Sequence, residues 1–342
     1  MVVGTRLVII GIAGKDGREG TAGKDTAVYH RLIALGITSD RFYTIDVATG
    51  EFEQVFADTG SNPDGVQCAD GVVYWTTMGK PSPRPGMTGE DAYDFTARNG
   101  GVHAINVDGT GRRDLTAPGA VTTPKQLTVH GDWLYWGDRE GHRVSRAHLD
   151  GSDLHDLVVN ESGSENECVG ITVDDEGEYL YWTQKGPLDG GVGKILRAPV
   201  RIAQGETPRN RTDIEILWEC LPEPIDLEIA GGVLYWTDRG APPKGNTLNR
   251  APLPAYGEPG NCPEILADGF SEAIGLVVDL DAAAAYVSDL AGHVYAVPLP
   301  GSPESSTGKR LLADLHTPVT GIAGVPRQAG TTPVVATSFA QR

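Results

Sequence analysis

Short apolar runs separated by polar turns fill most of the chain, and their order repeats. In residues 224–240, PIDLEIAGGVLYWTDRG, one apolar run is followed by a glycine turn and by a second run that ends in Tyr-Trp-Thr-Asp. Two further runs, at 246–254 and 264–269, complete the unit. Runs this short, rich in Val, Ile, Leu, Tyr and Trp and bounded by Gly, Pro and Asp, predict β-strands.

Pairs of Tyr and Trp mark the repeat. They stand at 74–75, 135–136, 181–182 and 235–236, and Tyr286-Val287 is a degenerate fifth copy. A spacing of about 50 residues is typical of an array of supersecondary units. Four strands per unit indicate the blade of a β-propeller.

The number of units predicts six blades. Full units begin near residues 62, 123, 167, 223 and 272. The runs 319–325 and 332–339 supply two more strands, and the runs 41–47 and 51–58 look like the third and fourth strands of the same blade. Joining both ends of the chain closes the ring and removes open sheet edges. We therefore predict an all-β, six-bladed propeller with four antiparallel strands per blade at 41–342, after a partly irregular lead-in at 1–40.

The motifs resemble those of a known family. Tyr-Trp-Thr-Asp at 235–238, Tyr-Trp-Gly-Asp at 135–138 and Tyr-Trp-Thr-Gln at 181–184 are similar to the YWTD repeats of low-density-lipoprotein-receptor propellers. The resemblance covers residues 41–340, departs from the pattern at 74–77 and 286–289, and is nearest to free-standing microbial propellers of this type. It implies the fold more than the function, because one fold hosts many activities.

Charge and composition narrow the partners. The 342 residues include 45 Gly and 23 Pro, and the net charge is −18. Nucleic acids and anionic membranes bind basic surfaces, so we expect neither as a partner. We expect instead a small-molecule substrate and a monomer or small homo-oligomer.

The N-terminal stretch carries two misleading patterns. The apolar run at 6–14 is too short to span a bilayer and lacks a convincing small-residue cleavage site. The segment 8–26 resembles a phosphate-binding loop, but its glycines and lysines are out of register with that motif. We therefore expect a cytoplasmic protein without a nucleotide site here.

The four cysteines do not predict a metal centre. Cys68 and Cys168 fall on first strands, where a thiol is usually a small buried apolar group. None of the four has the spacing of a zinc site. A disulfide between Cys220 and Cys262 is left open.

Long loops on one face predict a pocket. The connections between the second and third strands are long at 78–101, 184–193 and 239–246, whereas the turns at 129–133 and 229–233 of the other face are tight. Long connections in a compact fold are often functional. We predict a small-molecule pocket at this mouth of the central channel, although the loops could instead cap the ring or pack against a partner. The loop side chains predicted to bind substrate are Arg84, Tyr93, Phe95, Lys185 and Arg239.

Aligning the blades brings polar residues to one level of the channel. Glu167, Glu223, Glu272 and Asn62 occupy equivalent positions four residues before a shared apolar residue of the first strand. Three further polar side chains, Asp64, Lys125 and Asp226, lie close by in the alignment. Because equivalent positions of a propeller converge near its axis, we expect these side chains to meet at the mouth.

Three interpretations of this ring are open. The oxygen atoms of Glu167, Glu223 and Glu272 could bind Ca²⁺ or Mg²⁺, by analogy with gluconolactonase-like propellers, although no cofactor is required. Alternatively, crowded carboxylates raise one another's pKa and act as general acid and base, while Lys125 holds a substrate oxygen. The third interpretation is a polar funnel in which the glutamates pair with loop Arg and Lys side chains. His316, just before the last channel strand, is a further acid–base candidate.

The functional prediction is an enzyme acting on a small molecule at the axial mouth, either a cyclase of specialised metabolism or a lactonase-like hydrolase. A non-catalytic protein- or metabolite-binding propeller is the alternative. No Gly-x-Ser-x-Gly and no His-Glu-x-x-His occurs, which argues against serine-hydrolase and zincin chemistry. The repeated acids Asp138, Asp238 and Asp289 are interpreted as hydrogen-bonding groups between blades, and the repeated Trp as core.

Overall fold

The computed structural model describes residues 29–305 and 308–326. The apolar run at 6–14, the glycine-rich segment 8–26 and the predicted strand 332–339 lie outside these ranges. No helix among the described residues is both long enough and apolar enough to cross a lipid bilayer.

Six four-stranded antiparallel sheets make up the described part of the chain, which confirms the predicted propeller. From the axis outward, blade 1 contains Pro63–Ala69, Val72–Thr77, Gly101–Asn106 and Arg113–Asp114, and blade 2 contains Pro124–His130, Trp133–Asp138, Arg143–His148 and His155–Val159. Blade 3 contains Cys168–Val173, Tyr179–Gln184, Gly193–Pro199 and Glu215–Leu221, and blade 4 contains Pro224–Ala230, Val233–Asp238, Thr247–Pro252 and Glu264–Ala267. Blade 5 contains Ala273–Asp279, Ala284–Asp289, His293–Pro298 and Arg310–Asp314.

The closing blade joins both ends of the described chain, but not as two strands from each end. Its order from the axis is Val319–Pro326, Tyr29–Gly36, Arg41–Asp46 and Phe52–Ala57. The third and fourth strands are those predicted. The second strand comes from the N-terminal side, within the segment that the sequence analysis treated as lead-in, so the expected pairing with 332–339 is wrong.

The strand Tyr29–Gly36 occupies the second-strand position of the closing blade without the sequence motif of the other blades. This strand is hydrogen-bonded along both edges, with Ile33 opposite Thr44 on one side and Ala323 on the other. Its last five residues are buried on both faces. The other second strands are buried in the same way over their last five residues. Tyr29–Gly36 differs from them in lacking the Tyr-Trp motif by which those strands were identified.

The Tyr-Trp pair connects each blade to both of its neighbours. Successive side chains of a strand point to opposite sheet faces. Trp136 therefore packs in the cluster shared with Tyr74 of blade 1, while Tyr135 packs in the cluster shared with Trp182 of blade 3. The four motif tryptophans are at most 1% exposed, which confirms their predicted core role.

The motif threonine, rather than the motif aspartate, bonds one blade to the next. The Thr237 hydroxyl accepts a hydrogen bond from the Asp226 backbone N–H at 3.1 Å and donates to the Ile274 carbonyl of blade 5 at 2.6 Å. Thr183 repeats this bridge between blades 3 and 4, with 2.8 Å to the Ile225 carbonyl.

The motif aspartate instead closes its own blade. Asp138 accepts hydrogen bonds from the backbone N–H groups of Thr122, Thr123 and Gly141, at 2.9, 2.7 and 3.1 Å. These groups lie where the chain enters the first strand and where it leaves the second. The prediction that this aspartate hydrogen-bonds to another blade is therefore wrong, because its carboxylate accepts hydrogen bonds from N–H groups of its own blade.

The first strands of successive blades contact one another around the axis. Between them remains a cavity of about 20 Å³, lined among others by Gln67, Gln126, Thr172, Asp226 and Glu228. A cavity this small holds about one water molecule. The channel below the mouth is therefore filled by side chains.

The cysteines do not form a disulfide. All four are free; Cys168 is buried, Cys68 is partly buried, and Cys220 and Cys262 are exposed. The role of small apolar group is thus confirmed for Cys168.

Candidate functional site: an ion-paired axial mouth

The aligned ring of the mouth exists in the structure. In each blade, the residue after the second strand donates its backbone N–H to the residue that the alignment placed at the mouth. Examples are Lys185 to Glu167 at 3.4 Å and Arg239 to Glu223 at 3.0 Å. The same bond joins Met78 to Asn62, Arg139 to Thr123, Leu290 to Glu272 and Ile37 to Pro318. This repeated hydrogen bond fixes both residues of each pair at one height around the axis.

Three cations occupy this position in three consecutive blades. They are Arg139, Lys185 and Arg239, and their side chains are only 7%, 6% and 10% exposed. Because the blades are related by rotation, side chains at equivalent positions converge toward the axis. The result is a concentration of positive charge at the mouth of an acidic protein.

One carboxylate from the longest loop lies among these three cations. The loop 78–101 contains a short ribbon and the 3-10 turn Gly89–Ala92, which carries Glu90. The Glu90 carboxylate lies 2.5 Å from Arg139 Nη1 and 3.7 Å from Lys185 Nζ, and it also contacts Arg239 Nη2. Burial alone would raise the pKa of Glu90, but the three cations hold it well below its ordinary value.

The predicted ring glutamates pair with the same cations. Lys185 Nζ lies 3.3 Å from Glu223 Oε1 and 3.7 Å from Glu167 Oε2. Arg239 lies 2.8 Å from Glu223 Oε1 and 3.6 Å from Glu272 Oε2. The structure thus brings five predicted residues together, in the ion-paired arrangement that the third interpretation describes.

The three glutamates differ in environment. The side chain of Glu223 is 1% exposed, that of Glu167 18% and that of Glu272 52%. Burial raises the pKa of Glu167, which Lys185 and Arg139 offset only in part. Glu223 Oε2 is buried without a hydrogen-bond partner among the described residues. Glu167 is therefore the best placed carboxyl for proton transfer, and Glu223 retains one oxygen that can accept a hydrogen bond.

A second ion pair borders the cluster at blades 1 and 2. Lys125 Nζ contacts Asp64 Oδ2 and lies 3.2 Å from the sulfur of Met78. Gln126 donates to the other oxygen of Asp64 at 3.1 Å, and Asp64 is 1% exposed. Burial lowers the pKa of Lys125, against the attraction of Asp64.

Two predicted residues serve the site indirectly. Asn62 donates its side-chain amide to the Gly79 carbonyl at 2.9 Å and so anchors the start of the long loop. The ring of Phe95 lies under the Arg139 guanidinium, 5.3 Å from its centre, which is a cation–π contact.

Four other predicted residues lie away from the cluster. Asp226 lines the axial cavity below it. Tyr93 is 54% exposed, and Arg84 pairs with Asp94 at 3.1 Å on the outside of the loop. The side chain of His316 is 79% exposed and lies 3.2 Å from Asp314. The structure gives none of them a contact with the ion-paired cluster.

Sequence reasoning missed Glu90, Arg139 and Glu140. Arg139 could have been found, because it follows Tyr-Trp-Gly-Asp just as Arg239 follows Tyr-Trp-Thr-Asp; it was missed because its loop is short. Glu140 is the neighbour of Arg139 and pairs with it at 2.6 Å. Glu90 had no detectable signal, since it lies in an insertion that has no counterpart of the same length in another blade.

The donor set at the mouth does not fit a divalent cation. Two cations of the chain, Lys185 and Arg239, stand among the three glutamates that were expected to bind the ion. Within residues 29–305 and 308–326, no group of three or more His, Cys, Asp or Glu side chains is arranged to hold a metal.

A separate cavity lies at the rim of the same face. It has a volume of about 240 Å³ between the loops 184–193 and 239–246, with mainly apolar walls. Its lining residues are Asp189, Gly191, Cys220, Pro222, Ala241, Pro243 and Lys244.

Two curated fungal proteins are similar to this chain in sequence. No family model matches the chain. It is 38% identical over 256 residues to low-density lipoprotein receptor-related protein 1 of Pyricularia oryzae, an overlap of 69% of this chain and 77% of that protein. It is also 38% identical over 262 residues to the 3-hydroxyacyl-CoA dehydrogenase-like protein LAM1 of Cochliobolus heterostrophus, which is 70% of this chain but about half, 52%, of that relative.

Solved structures share the fold at low sequence identity. A chain of a nidogen/laminin complex superposes with a TM-score of 0.61 at 17% identity, covering 86% of this chain and 97% of that one. A protein provisionally described as a 6-phosphogluconolactonase, from Bacteroides uniformis, gives a TM-score of 0.52 at 15% identity, covering 82% and 80%. Together with the Tyr-Trp motifs and the six-bladed ring, the relative from Pyricularia oryzae shows that this chain belongs to the YWTD-repeat propeller family of low-density lipoprotein receptor-related proteins.

Proposed function

We propose that this propeller hydrolyses a small ester or lactone at its axial mouth, with Glu167 as the proton-transfer group. The observation that supports this most is the placement of Glu167. Its carboxyl, with a pKa raised by burial, lies 3.7 Å from Lys185 Nζ, and Lys185 lies 3.3 Å from Glu223. A carboxyl that can exchange a proton and a cation that can bind an oxyanion are thus side by side.

These residues supply the steps of the reaction. Glu167 takes a proton from water as its oxygen attacks the substrate carbonyl carbon. Lys185 and Arg239 stabilise the negative charge that develops on the carbonyl oxygen. When the carbon–oxygen bond to the leaving group breaks, Glu167 returns the proton to that oxygen. Glu223 is a positioning residue, because it holds both cations in place.

The fold is compatible with this reaction. The protein from Bacteroides uniformis that is described as a 6-phosphogluconolactonase has a similar fold, and the likeness concerns the fold alone. Cyclisation, the other predicted reaction, is not part of the proposal, because it would use an apolar pocket under the loop 78–101. The side chains under that loop are charged.

Binding without chemistry is the second candidate. Four exposed apolar side chains lie in the insertions of the mouth face: Met87, Tyr93, Leu188 and Val192, which are 42–54% exposed. Apolar groups of this kind favour contact with a protein or a metabolite. This candidate is distinguished from the first by whether the bound molecule is chemically changed.

The test is hydrolysis by purified protein of γ-butyrolactone, δ-valerolactone and phenyl acetate, followed by titration of the released acid. The wild-type protein is expected to hydrolyse at least one of them, and Glu167→Gln is expected to lower the rate about 10²- to 10⁴-fold. The matched control is Glu165→Gln, an exposed carboxylate two residues away, which should leave the rate unchanged.

Two outcomes contradict the proposal. If the wild-type protein hydrolyses none of the three, or if Glu167→Gln retains the full rate, Glu167 is not the proton-transfer group of a hydrolase. Treatment with EDTA is expected to leave the rate unchanged, because Lys185 and Arg239 supply the positive charge. Loss of activity that Ca²⁺ or Mg²⁺ restores would instead support the divalent cation predicted from the sequence.

A further inference from the structure

We propose that Arg139, Lys185 and Arg239 form a carboxylate-binding subsite that Glu90 fills in the free protein. The ligand of this subsite is a small hydroxylated carboxylate, whose own carboxylate replaces that of Glu90. This inference rests on the proposed function for the use of the site, and it adds the chemical class of the product, because hydrolysis of a lactone releases a hydroxycarboxylate.

The geometry around Glu90 supports a binding site rather than an ordinary ion pair. Three nearly buried cations from three blades surround a single carboxylate, at 2.5 Å for Arg139 and 3.7 Å for Lys185, with Arg239 in contact. Charge-assisted hydrogen bonds of this kind are the usual means of carboxylate recognition. The cations belong to the repeated frame of the propeller, whereas Glu90 comes from an insertion. The subsite is therefore built independently of the group that occupies it.

Besides Glu90, Phe95 attaches the loop to the ring of blades: its side chain lies under Arg139, and its carbonyl accepts a hydrogen bond from Thr123 Oγ1 at 2.9 Å. The rest of the middle of the loop is little buried. No residue between Lys80 and Asn99 is buried, and Met87 and Tyr93 are more than half exposed. The ends of the loop are held: Arg98 donates to the carbonyls of Gly119 and Ala120 at 2.7 and 2.6 Å. Segments with few buried contacts open locally at low free-energy cost. The middle of the loop can thus lift while its ends stay in place.

The charges around the subsite favour a monocarboxylate over a phosphate dianion. Once Glu90 leaves, the three cations face Glu140, Glu167 and Glu223, which lie beside them. A monocarboxylate replaces the lost charge one for one. A phosphate dianion would add a further negative charge next to these glutamates and should bind less well.

We infer the hydroxyl group of the ligand from the environment of Glu223. Its Oε2 atom is buried without a hydrogen-bond partner in the described part of the chain, while Oε1 is held by Lys185 and Arg239. An unsatisfied buried acceptor is costly, and a ligand hydroxyl can satisfy it. A hydroxyl next to a carboxylate places a donor beside the same two cations.

The experiment compares glycolate, acetate and inorganic phosphate as probes, by titration calorimetry, on the wild-type protein and on Glu90→Ala. The variant is expected to bind glycolate about tenfold or more tightly than the wild type, because the internal competitor is gone. It should also bind glycolate more tightly than acetate or phosphate. The matched control, Asp91→Ala, removes an exposed carboxylate from the same turn and should behave as the wild type.

A second measurement needs no variant. Chymotrypsin cleaves after aromatic residues, and Tyr93 and Phe95 lie in the loop. Saturating glycolate is expected to speed this cleavage in the wild-type protein, since the ligand releases the loop. If Glu90→Ala fails to fold, Glu90→Gln, which keeps the shape of the side chain, replaces it in the titration.

The results that overturn the inference differ from those that overturn the hydrolase. The inference is overturned if wild type and Glu90→Ala bind glycolate with equal affinity, or if glycolate does not change the cleavage of the loop. Glu90 would then have a structural role only and would not be displaced by a ligand. Lactone hydrolysis would then still stand. Conversely, tight glycolate binding in a protein that hydrolyses nothing supports the subsite and contradicts the hydrolase.

Discussion

Buried carboxyl groups at the two ends of the axial channel have pKa values shifted in opposite directions. At the mouth, Glu90 is surrounded by three cations, and its pKa is held well below the ordinary value. Below the mouth, Asp226 and Glu228 line the small axial cavity, and burial raises their pKa values to about 7 and about 8. Glu90 comes from the insertion between the second and third strands of blade 1, whereas Asp226 and Glu228 belong to the first strand of blade 4. Burial alone therefore does not set the protonation state of these carboxyls.

The partners of each carboxylate explain the difference. Asp226 accepts backbone N–H groups of Leu227 and Leu276 at 2.9 and 3.0 Å, and Glu228 accepts that of Val278 at 2.9 Å. Neutral donors satisfy the oxygens but do not compensate the charge, whereas Arg and Lys do both. In the lower channel, between blades 4 and 5, burial therefore favours the protonated form of these carboxyls. The mouth is the charged end, at which an anionic ligand can bind.

Removing Glu223 should have the largest effect on the stability of the mouth. Glu223→Ala leaves Lys185 and Arg239 buried with one carboxylate fewer, which is expected to lower the free energy of unfolding by about 3–5 kcal/mol. Urea denaturation measures this. The control is Glu272→Ala at a half-exposed pair, where the loss should be about 1 kcal/mol or less. Equal losses for the two variants would contradict the charged, buried nature of the mouth.

The free energy of unfolding should fall as the pH rises, because the buried carboxyl groups of the lower channel lose their protons. Asp226 has a pKa of about 7 when folded and an ordinary value of 3.8, so between these pH values the folded state holds a proton that the unfolded state has lost. Raising the pH from 5 to 9 removes that proton. The free energy of unfolding should therefore fall by about 1.4 kcal/mol for each pH unit between pH 5 and the folded pKa of about 7, and little further above it.

Asp226→Asn provides the check, with urea denaturation at several pH values. The variant is expected to show a smaller loss of stability between pH 5 and pH 9 than the wild type. The remaining loss is expected from Glu228 and Asp238, whose pKa values are raised by burial to about 8 and about 7. A pH dependence identical to that of the wild type would show that Asp226 is ionised in the folded protein, as the mouth carboxylate Glu90 is.

His316 should have the smallest effect. Its exposed side chain pairs with Asp314 away from the mouth, so His316→Ala is expected to change the free energy of unfolding by about 0.5 kcal/mol or less. The pH profile of hydrolysis should also stay unchanged. A shifted profile would restore His316 as the acid–base group predicted from the sequence.

The fold was predictable where the repeat is present. Four Tyr-Trp pairs and the degenerate pair Tyr286-Val287 located five blades, because the two side chains of each pair pack against the two neighbouring blades. The closing blade was only partly predictable, because Tyr29–Gly36 lacks the motif by which the other second strands were identified.

The candidate site was predictable to the extent that it follows rotational equivalence. Glu167 and Glu223 were found because equivalent positions meet at the axis, whereas Lys185 and Arg239 were found as basic side chains of long loops. Arg139 lies on a short loop, and the rule of equivalent positions could have found it. Glu90 could not, since the position of a side chain within an irregular insertion depends on how the whole loop folds over the ring.

The most direct test of the account is a crystal structure of the wild-type protein with and without glycolate. The account predicts that in the free protein the Glu90 carboxylate lies between Arg139, Lys185 and Arg239, and that in the complex the carboxylate of glycolate takes its place while the loop lifts. A Glu90 side chain that stays among the three cations at saturating glycolate, or that lies elsewhere in the free protein, would contradict it.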